Sequence, residues 1–127
     1  MESFFFEPTA IDHVPADALV LHEETFGPVL AVQRVPTVDA AVASANATSY
    51  GLAAYVYDQD LERALAVANR IEAGGVGVNV NDVSELQAPF GGWKESGLGR
   101  ELGPEELYAY LEATHTKVRL PAITDSQ

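Results

Sequence analysis

The side chains best equipped for chemistry in these 127 residues are carboxylates and imidazoles, and no thiol stands among them. Glu23 and Glu24 are adjacent acids that run into Thr25-Phe26-Gly27-Pro28, and His22 precedes them. A carboxylate beside a rigid Gly-Pro turn can accept two hydrogen bonds, which suits a pair of ribose hydroxyls. Acid–base catalysis would draw on Glu23, Glu24, Asp82 and His22, because the proton must be moved by a side chain within hydrogen-bond reach. Asp12-His13 and His22-Glu23 are carboxylate–imidazole neighbours. Adjacent residues on a strand point to opposite faces, so neither pair is expected to serve as a ready general base. The histidines His13, His22 and His115 match no zinc-ligand spacing, and no metal site is expected. No nucleophile-elbow sequence supports Ser-His-Asp chemistry. Zero cysteines exclude disulfides, thiolate metal sites and thiolate nucleophiles within this stretch.

A second group of polar residues follows an apolar run: Asn79, Asn81, Asp82 and Ser84. Strand ends are where α/β proteins place their sites, so Asn79, Asn81 and Ser84 are candidate substrate contacts. The alternative is that Asn79 satisfies backbone groups and the others serve a turn. The glycines Gly91, Gly92, Gly97 and Gly99 lack both the dinucleotide fingerprint and the Gly-Lys-Ser/Thr ending of a phosphate loop. They are expected to permit positive φ and close backbone packing. Lys94 and Arg100 are expected to pair with Glu95 and Glu101, each exposed pair contributing about 0–1 kcal/mol. Tyr50, Tyr55, Tyr57, Trp93, Tyr108 and Tyr110 have no basic residues interleaved, so core packing explains them better than a nucleic-acid platform.

These residues need elements to hold them. Residues 1–17 are punctuated by Pro8 and Pro15 and are expected to be irregular, with Phe4, Phe5 and Phe6 as an apolar cluster that needs cover. Residues 29–35 read as a strand. Thr37 offers an N-cap to a helix over 38–47, with Asp39 in its first turn. Residues 52–57 read as a short strand. Asp58 is a candidate cap for a helix over 61–72, whose stripe is Leu61, Ala64, Leu65, Ala68 and Ile71. Gly74 and Gly75 are read as its stop. Residues 76–80 are nearly continuous apolar strand, the mark of a sheet buried on both faces. Pro104 opens a further helix, and 115–120 reads as a final strand. Strands alternating with helices predict an α/β fold with a parallel sheet and flanking helices, in one domain over 1–127.

The formal charge is −12, from 7 basic and 19 acidic side chains. Such a surface repels phosphate backbones and anionic lipid, which argues against nucleic-acid and membrane partners. No apolar run approaches the roughly 20 residues of a bilayer span. Glu2 and Glu7 sit where a signal peptide would be basic, so a cytoplasmic location is expected.

Two motifs carry a resemblance. Glu23-Glu24-Thr25-Phe26-Gly27-Pro28 and Pro89-Phe90-Gly91-Gly92-Trp93-Lys94-Glu95-Ser96-Gly97-Leu98-Gly99-Arg100-Glu101 resemble the C-terminal portion of the aldehyde dehydrogenase superfamily. Phe5-Phe6-Glu7-Pro8-Thr9, Tyr50-Gly51-Leu52-Ala53-Ala54 and Gly77-Val78-Asn79 are similar in order and spacing. The resemblance implies the C-terminal half of that family's catalytic domain. It implies that Glu24 contacts a nicotinamide ribose, that Phe26 packs nearby, and that the loop after Asn79 borders an aldehyde tunnel. The glycine-rich segment is then a structural signature. The family's cysteine nucleophile, general-base glutamate, oxyanion-holding asparagine and cofactor domain have no counterpart here. No cofactor is therefore expected for the isolated chain, and NAD(P) only if a cofactor domain complements it.

Three functions follow as expectations. The first is a repurposed, cofactor-independent enzyme acting on a small polar or biosynthetic substrate in a dimer cleft, with acid–base groups from Glu23, Glu24, Asp82 or His22. The second is a binding or scaffolding module, with a full-length paralogue as one possible partner. The third is one half of a split NAD(P)-dependent aldehyde dehydrogenase. A bare sheet edge and the strand at 115–120 are expected to drive self-association, as a two-fold dimer.

Overall fold

A computed structural model describes residues 4–120. Two parallel strand pairs and one antiparallel pair carry three short helices around a small core. The first pair joins β1 (Thr9–Ile11) to β2 (Val29–Ala31), in the register Thr9 to Val29 and Ile11 to Ala31. Helix α1 (Val38–Asn46) follows, and the Thr37 hydroxyl accepts from the Ala40 amide at 3.1 Å. That bond satisfies one of the amides a helix start leaves open, as the sequence predicts.

Strand β3 (Tyr50–Gly51) leads into β4 (Ala53–Val56), helix α2 (Leu61–Ala68) and β5 (Gly75–Val78). Strands β4 and β5 pair in parallel with α2 as the crossover, which forms one βαβ unit. Ala64 of α2 is 0% exposed, because it packs at the centre of the helix face that meets both strands. On the other face Val83 lies over Gly75 and Gly77. A Cβ on Gly77 would sit 2.9 Å from the Tyr55 ring and 3.2 Å from a Val83 methyl. Strand β6 (Trp93–Lys94) returns from the glycine-rich segment to pair antiparallel with β3. Helix α3 (Glu105–Ala109) closes the regular structure, with Pro104 as its N-cap.

Several expectations are corrected. A strand, β1, lies between Pro8 and Pro15 where irregular chain was expected: the prolines bound it rather than break it. Residues 115–120 form no strand, since they pair with no other segment among the described residues. The parallel strands do not join into one sheet, because β2 takes β1 as its partner. Helix α2 is capped by Asp60, whose carboxylate accepts from the Arg63 amide at 3.1 Å. Asp58 instead accepts the Asp60 amide and binds the Arg63 side chain. The helix ends at Ala68, ahead of Gly74 and Gly75, and Gly75 belongs to β5. Strand β5 is only partly buried. The tyrosines and Trp93 are exposed rather than core residues, and the buried apolar side chains among the described residues are Val14, Val42, Ala64 and Ala73. Phe4, Phe5 and Phe6 are exposed as well.

Candidate functional site

The sequence from Leu19 to Pro28 is short of regular structure, so its shape comes from local backbone bonds. A single 3₁₀ turn (Leu19–Leu21) starts it, and the amides of His22 and Glu23 both donate to the Leu19 carbonyl, at 2.9 and 2.7 Å. The His22 ring holds the turn from the other side, with Nε2 2.8 Å from the Ala16 carbonyl oxygen. Phe26 then adopts a left-handed φ of 47°, which is uncommon for a residue with a Cβ. Past Gly27, the Pro28 carbonyl accepts from Thr9 at 2.9 Å and anchors the segment to β1. Glu23 and Glu24 therefore span two fixed points.

They form one wall of an open cleft of about 550 Å³. His22, Glu23 and Glu24 face Tyr50, Gly51, Leu52, Ala53 and Ala54, with Glu72, Ala73 and Ser96 completing the lining. The floor is stitched tightly. The Ser96 hydroxyl accepts from the Gly51 amide at 2.9 Å, and the Gly51 carbonyl accepts from Gly74 at 2.9 Å. Gly74 is required there, since a Cβ would lie 1.6 Å from the Gly91 carbonyl oxygen.

Lys94 reaches the end of α1 and donates from Nζ to the carbonyls of Asn46 and Thr48, at 2.9 and 3.1 Å. The same ammonium lies 2.8 Å from the Glu72 carboxylate. A cation at a helix C-terminus meets both the open carbonyls and the negative dipole end. Asn46 spans the same junction: its Nδ2 donates to the Arg70 carbonyl and its Oδ1 accepts from the Glu72 amide, both at 2.9 Å. Lys94 thus pairs with Glu72 and not with Glu95. Arg100 donates to the carbonyls of Gly92 and Gly99 and forms no ion pair with Glu101. The glycine-rich segment packs closely, as expected, and Gly97 and Gly99 take positive φ.

The electrostatics of the cleft are one-sided. Glu72 is neutralised by Lys94, whereas neither Glu23 nor Glu24 meets a cation among the described residues.

The other candidates lie elsewhere. The cleft sits at the amino ends of β4 and β5, beside Ala53 and Ala73, whereas Asn79 follows the carboxyl end of β5. Four residues of strand, roughly 10 Å or more, separate the two ends. Asn79 clasps the β4–α2 turn: its Oδ1 accepts from the Asp58 amide and its Nδ2 donates to the Asp58 carbonyl, both at 2.9 Å. Asp82 accepts from the Ser84 amide at 2.8 Å in a local turn, and Asn81 is exposed. The structure therefore brings together His22, Glu23 and Glu24 but not Asp82, Asn79, Asn81 or Ser84. Phe26 stands outside the cleft lining and is 90% exposed.

Asp12 and His13 do touch, with Nδ1 3.2 Å from the carboxylate, because His13 takes a left-handed φ of 57° instead of strand geometry. Arg34 binds the same carboxylate at 2.7 Å and holds its pKa below the ordinary range, aided by the His13 amide. At the far end of β4, the Arg63 guanidinium holds the Asp58 carboxyl down to about 2, with help from the Asp60 amide. Sequence reasoning missed Asn46, Glu72 and Ser96. Each acts on a segment distant in the chain, and nothing in its immediate neighbours signals that.

The βαβ unit, the glycine-stitched floor and the carboxylate turn place the chain among α/β proteins that resemble the dehydrogenases of aldehydes. Residues 1–116 match the aldehyde dehydrogenase family model, and the chain belongs to that family. It is 45% identical over 118 residues to a succinate-semialdehyde dehydrogenase of Paenarthrobacter nicotinovorans, covering 93% of this chain and 26% of that protein. It is 48% identical over 108 residues to a 3-sulfolactaldehyde dehydrogenase of Pseudomonas putida, covering 85% and 22%. The crystal structure of a betaine aldehyde dehydrogenase from Staphylococcus aureus in complex with NAD+ superposes with a TM-score of 0.84 at 39% identity, covering 96% of this chain and 25% of that one. The chain thus spans about a quarter of the length of these relatives. No helix among the described residues is long and apolar enough to cross a membrane.

Proposed function

We propose that this chain supplies one wall of an NAD(P)-dependent aldehyde dehydrogenase site and works together with polypeptide that carries the thiol and the cofactor domain. The observation that carries this reading is the shape of the cleft: a firmly stitched floor, an open mouth, and two carboxylates that meet no cation among the described residues. A small-molecule site ordinarily encloses most of its ligand. Glu24 and Phe26 suit the nicotinamide end of a dinucleotide in type and exposure. The Glu24 carboxylate is open to accept from ribose hydroxyls, and the Phe26 ring is open to pack on an apolar face. The cofactor, when bound, would supply the oxidising power. This chain would bind and orient it. Asn79, Asn81 and Ser84, at the other end of β5, would border the substrate only if the covering polypeptide extends that far.

The test is complementation. The chain is co-expressed with the Staphylococcus aureus enzyme from which the matching segment has been deleted, and aldehyde-dependent NADH formation is followed at saturating NAD+. Turnover well above either polypeptide alone supports the reading; none, from a complex shown to form, removes it.

A second reading is favoured by the shared lining of His22, Glu23 and Glu24. These groups could exchange protons with a small polar substrate without a cofactor, in a cleft closed by a second copy. Asp82 does not join them there. If catalysis of this kind exists, Glu23→Gln with Glu24→Gln lowers it about 100-fold or more; an unchanged rate counts it out. On either reading the acidic charge argues against nucleic-acid partners.

A further inference from the structure

The parallel ladder of β4 and β5 stops at an asparagine that finishes it with a side chain. The pair runs in the register Ala53 to Gly75 and Val56 to Val78. The amides of Gly75 and Asn79 donate to the carbonyls of Leu52 and Val56, at 3.1 and 2.8 Å. In that register the next two rungs would run from the Asp58 amide to the backbone carbonyl of Asn79, and from the Asn81 amide to the Asp58 carbonyl. Among the described residues neither backbone bond forms. The Asn79 carboxamide takes both places: Oδ1 accepts from the Asp58 amide and Nδ2 donates to the Asp58 carbonyl, each at 2.9 Å. A primary amide offers the donor and acceptor of a peptide group, so one side chain stands in for two rungs.

The backbone is thereby released from the sheet. Asn79 turns it with a φ of 55°, which asparagine adopts more readily than most residues. Glycine would turn as well but carries no carboxamide, and aspartate lacks the donor. The departing segment is held where it lands. The Tyr57 hydroxyl donates to the Val80 carbonyl at 2.7 Å. Val80 and Val83 close over Gly77, where a Cβ would lie 3.1 and 3.2 Å from their methyls. The Asp82 carboxylate accepts from the Ser84 amide. The post to which Asn79 is tied is braced too, because Arg63 binds the Asp58 carboxylate through Nε and Nη2, both at 2.6 Å.

Resting on the proposed function and deepening it, we infer that Asn79 is a positioning residue of that site. Its carboxamide ends the β4–β5 ladder and aims segment 80–84 beyond the carboxyl end of the strands, where α/β proteins hold their ligands. That carboxamide is occupied by Asp58, so Asn79 acts through Asn81 and Ser84 rather than by contact. The side chains of Asn81 and Ser84 form no hydrogen bond among the described residues and stay open to a ligand.

The experiment reads amide hydrogen exchange in the full 127-residue chain and aldehyde kinetics in the complemented enzyme. In the unmodified chain the Asp58 amide exchanges at least about tenfold more slowly than the Asn81 amide. Asn79→Gly keeps the turn, removes the carboxamide and abolishes that difference. Asn79→Val disfavours the left-handed turn, and the Asn81 amide slows about tenfold as the backbone rung forms. Asn79→Asp keeps the acceptor alone and falls between the unmodified chain and Asn79→Gly. In the complemented enzyme Asn79→Gly raises KM for the aldehyde about tenfold and leaves KM for NAD+ within about twofold, a split that general loss of stability does not produce. Equal exchange at Asp58 and Asn81 in the unmodified chain, an Asp58 amide indifferent to Asn79→Gly, an Asn81 amide unmoved by Asn79→Val, or KM values that rise together each overturn the inference. Absence of turnover in every complex refutes the catalytic reading alone, and amide exchange then decides the role of Asn79.

Discussion

The floor of the cleft and its carboxylate wall are built by opposite rules. The floor draws on three segments far apart in sequence, bound through Lys94, Asn46, Ser96 and the backbone of Gly51 and Gly74. The wall, Leu19 to Pro28, is shaped mainly by bonds to itself and to nearby Ala16, and touches the rest of the chain through β1. Asn46, Lys94 and Ser96 of the floor are tied to other segments by hydrogen bonds, whereas Glu23, Glu24 and Phe26 are exposed. The difference teaches where each region's free energy is directed. The floor stabilises position, and the wall keeps its groups available for something not yet in contact.

That contrast can be broken most forcefully at Gly74. Its added methyl has no space against the Gly91 carbonyl, and that neighbour is backbone, which cannot swing away. Gly74→Ala should destabilise the assembled protein by about 3 kcal/mol, read as a shift of the denaturant midpoint. Lys94→Met comes next. It leaves two carbonyls and the Glu72 carboxylate without their cation and should cost about 2 kcal/mol, with Lys94→Arg recovering part of it. A smaller effect belongs to Asp60→Ala, where loss of the α2 cap should cost about 1 kcal/mol and speed exchange of the Arg63 amide.

The Asp58–Arg63 pair sharpens the comparison through pH. Its folded pKa, about 2, is depressed below the ordinary value of about 3.9. The sign is then fixed: this pair's contribution is present above the ordinary value and disappears as pH falls toward the folded one. A carboxyl titration by NMR should place the Asp58 midpoint near 2, and Arg63→Met should return it to the ordinary range. A midpoint unmoved by that substitution would mean that the guanidinium does not hold the carboxylate. At the small end, Glu24→Gln and Phe26→Ala should shift stability by no more than about 0.5 kcal/mol, since both are exposed. If the wall is held for function, they should nonetheless lower the activity of a complemented enzyme. A large loss of stability from either would erase the distinction between wall and floor.

Legibility divided along similar lines. The cap at Thr37, the period of α2 and the positive-φ glycines were readable because each depends on residues within a turn or two. Asp60 was missed in favour of Asp58 because both acids sit before the same helix and only geometry distinguishes cap from ion-pair partner. Residues 115–120 read as a strand, but a strand exists only where another segment accepts its hydrogen bonds, and none of the described residues does. Within the site, adjacency in sequence predicted that His22, Glu23 and Glu24 would stay together. Asp82 was grouped with them by chemistry alone, and the length of β5 separates them.

By itself the sequence determined the family, the α/β character, the absence of a thiol and the acidic charge, because these reside in residue identity and short-range spacing. Only the tertiary structure decided that the carboxylates lie at the amino ends of the parallel strands, that Lys94 closes α1 rather than pairing with its neighbour, and that so much apolar surface stays open. Those are facts about which distant segments meet. Close packing at points such as Gly74 and Gly91 selects the pairing, and no local pattern encodes it.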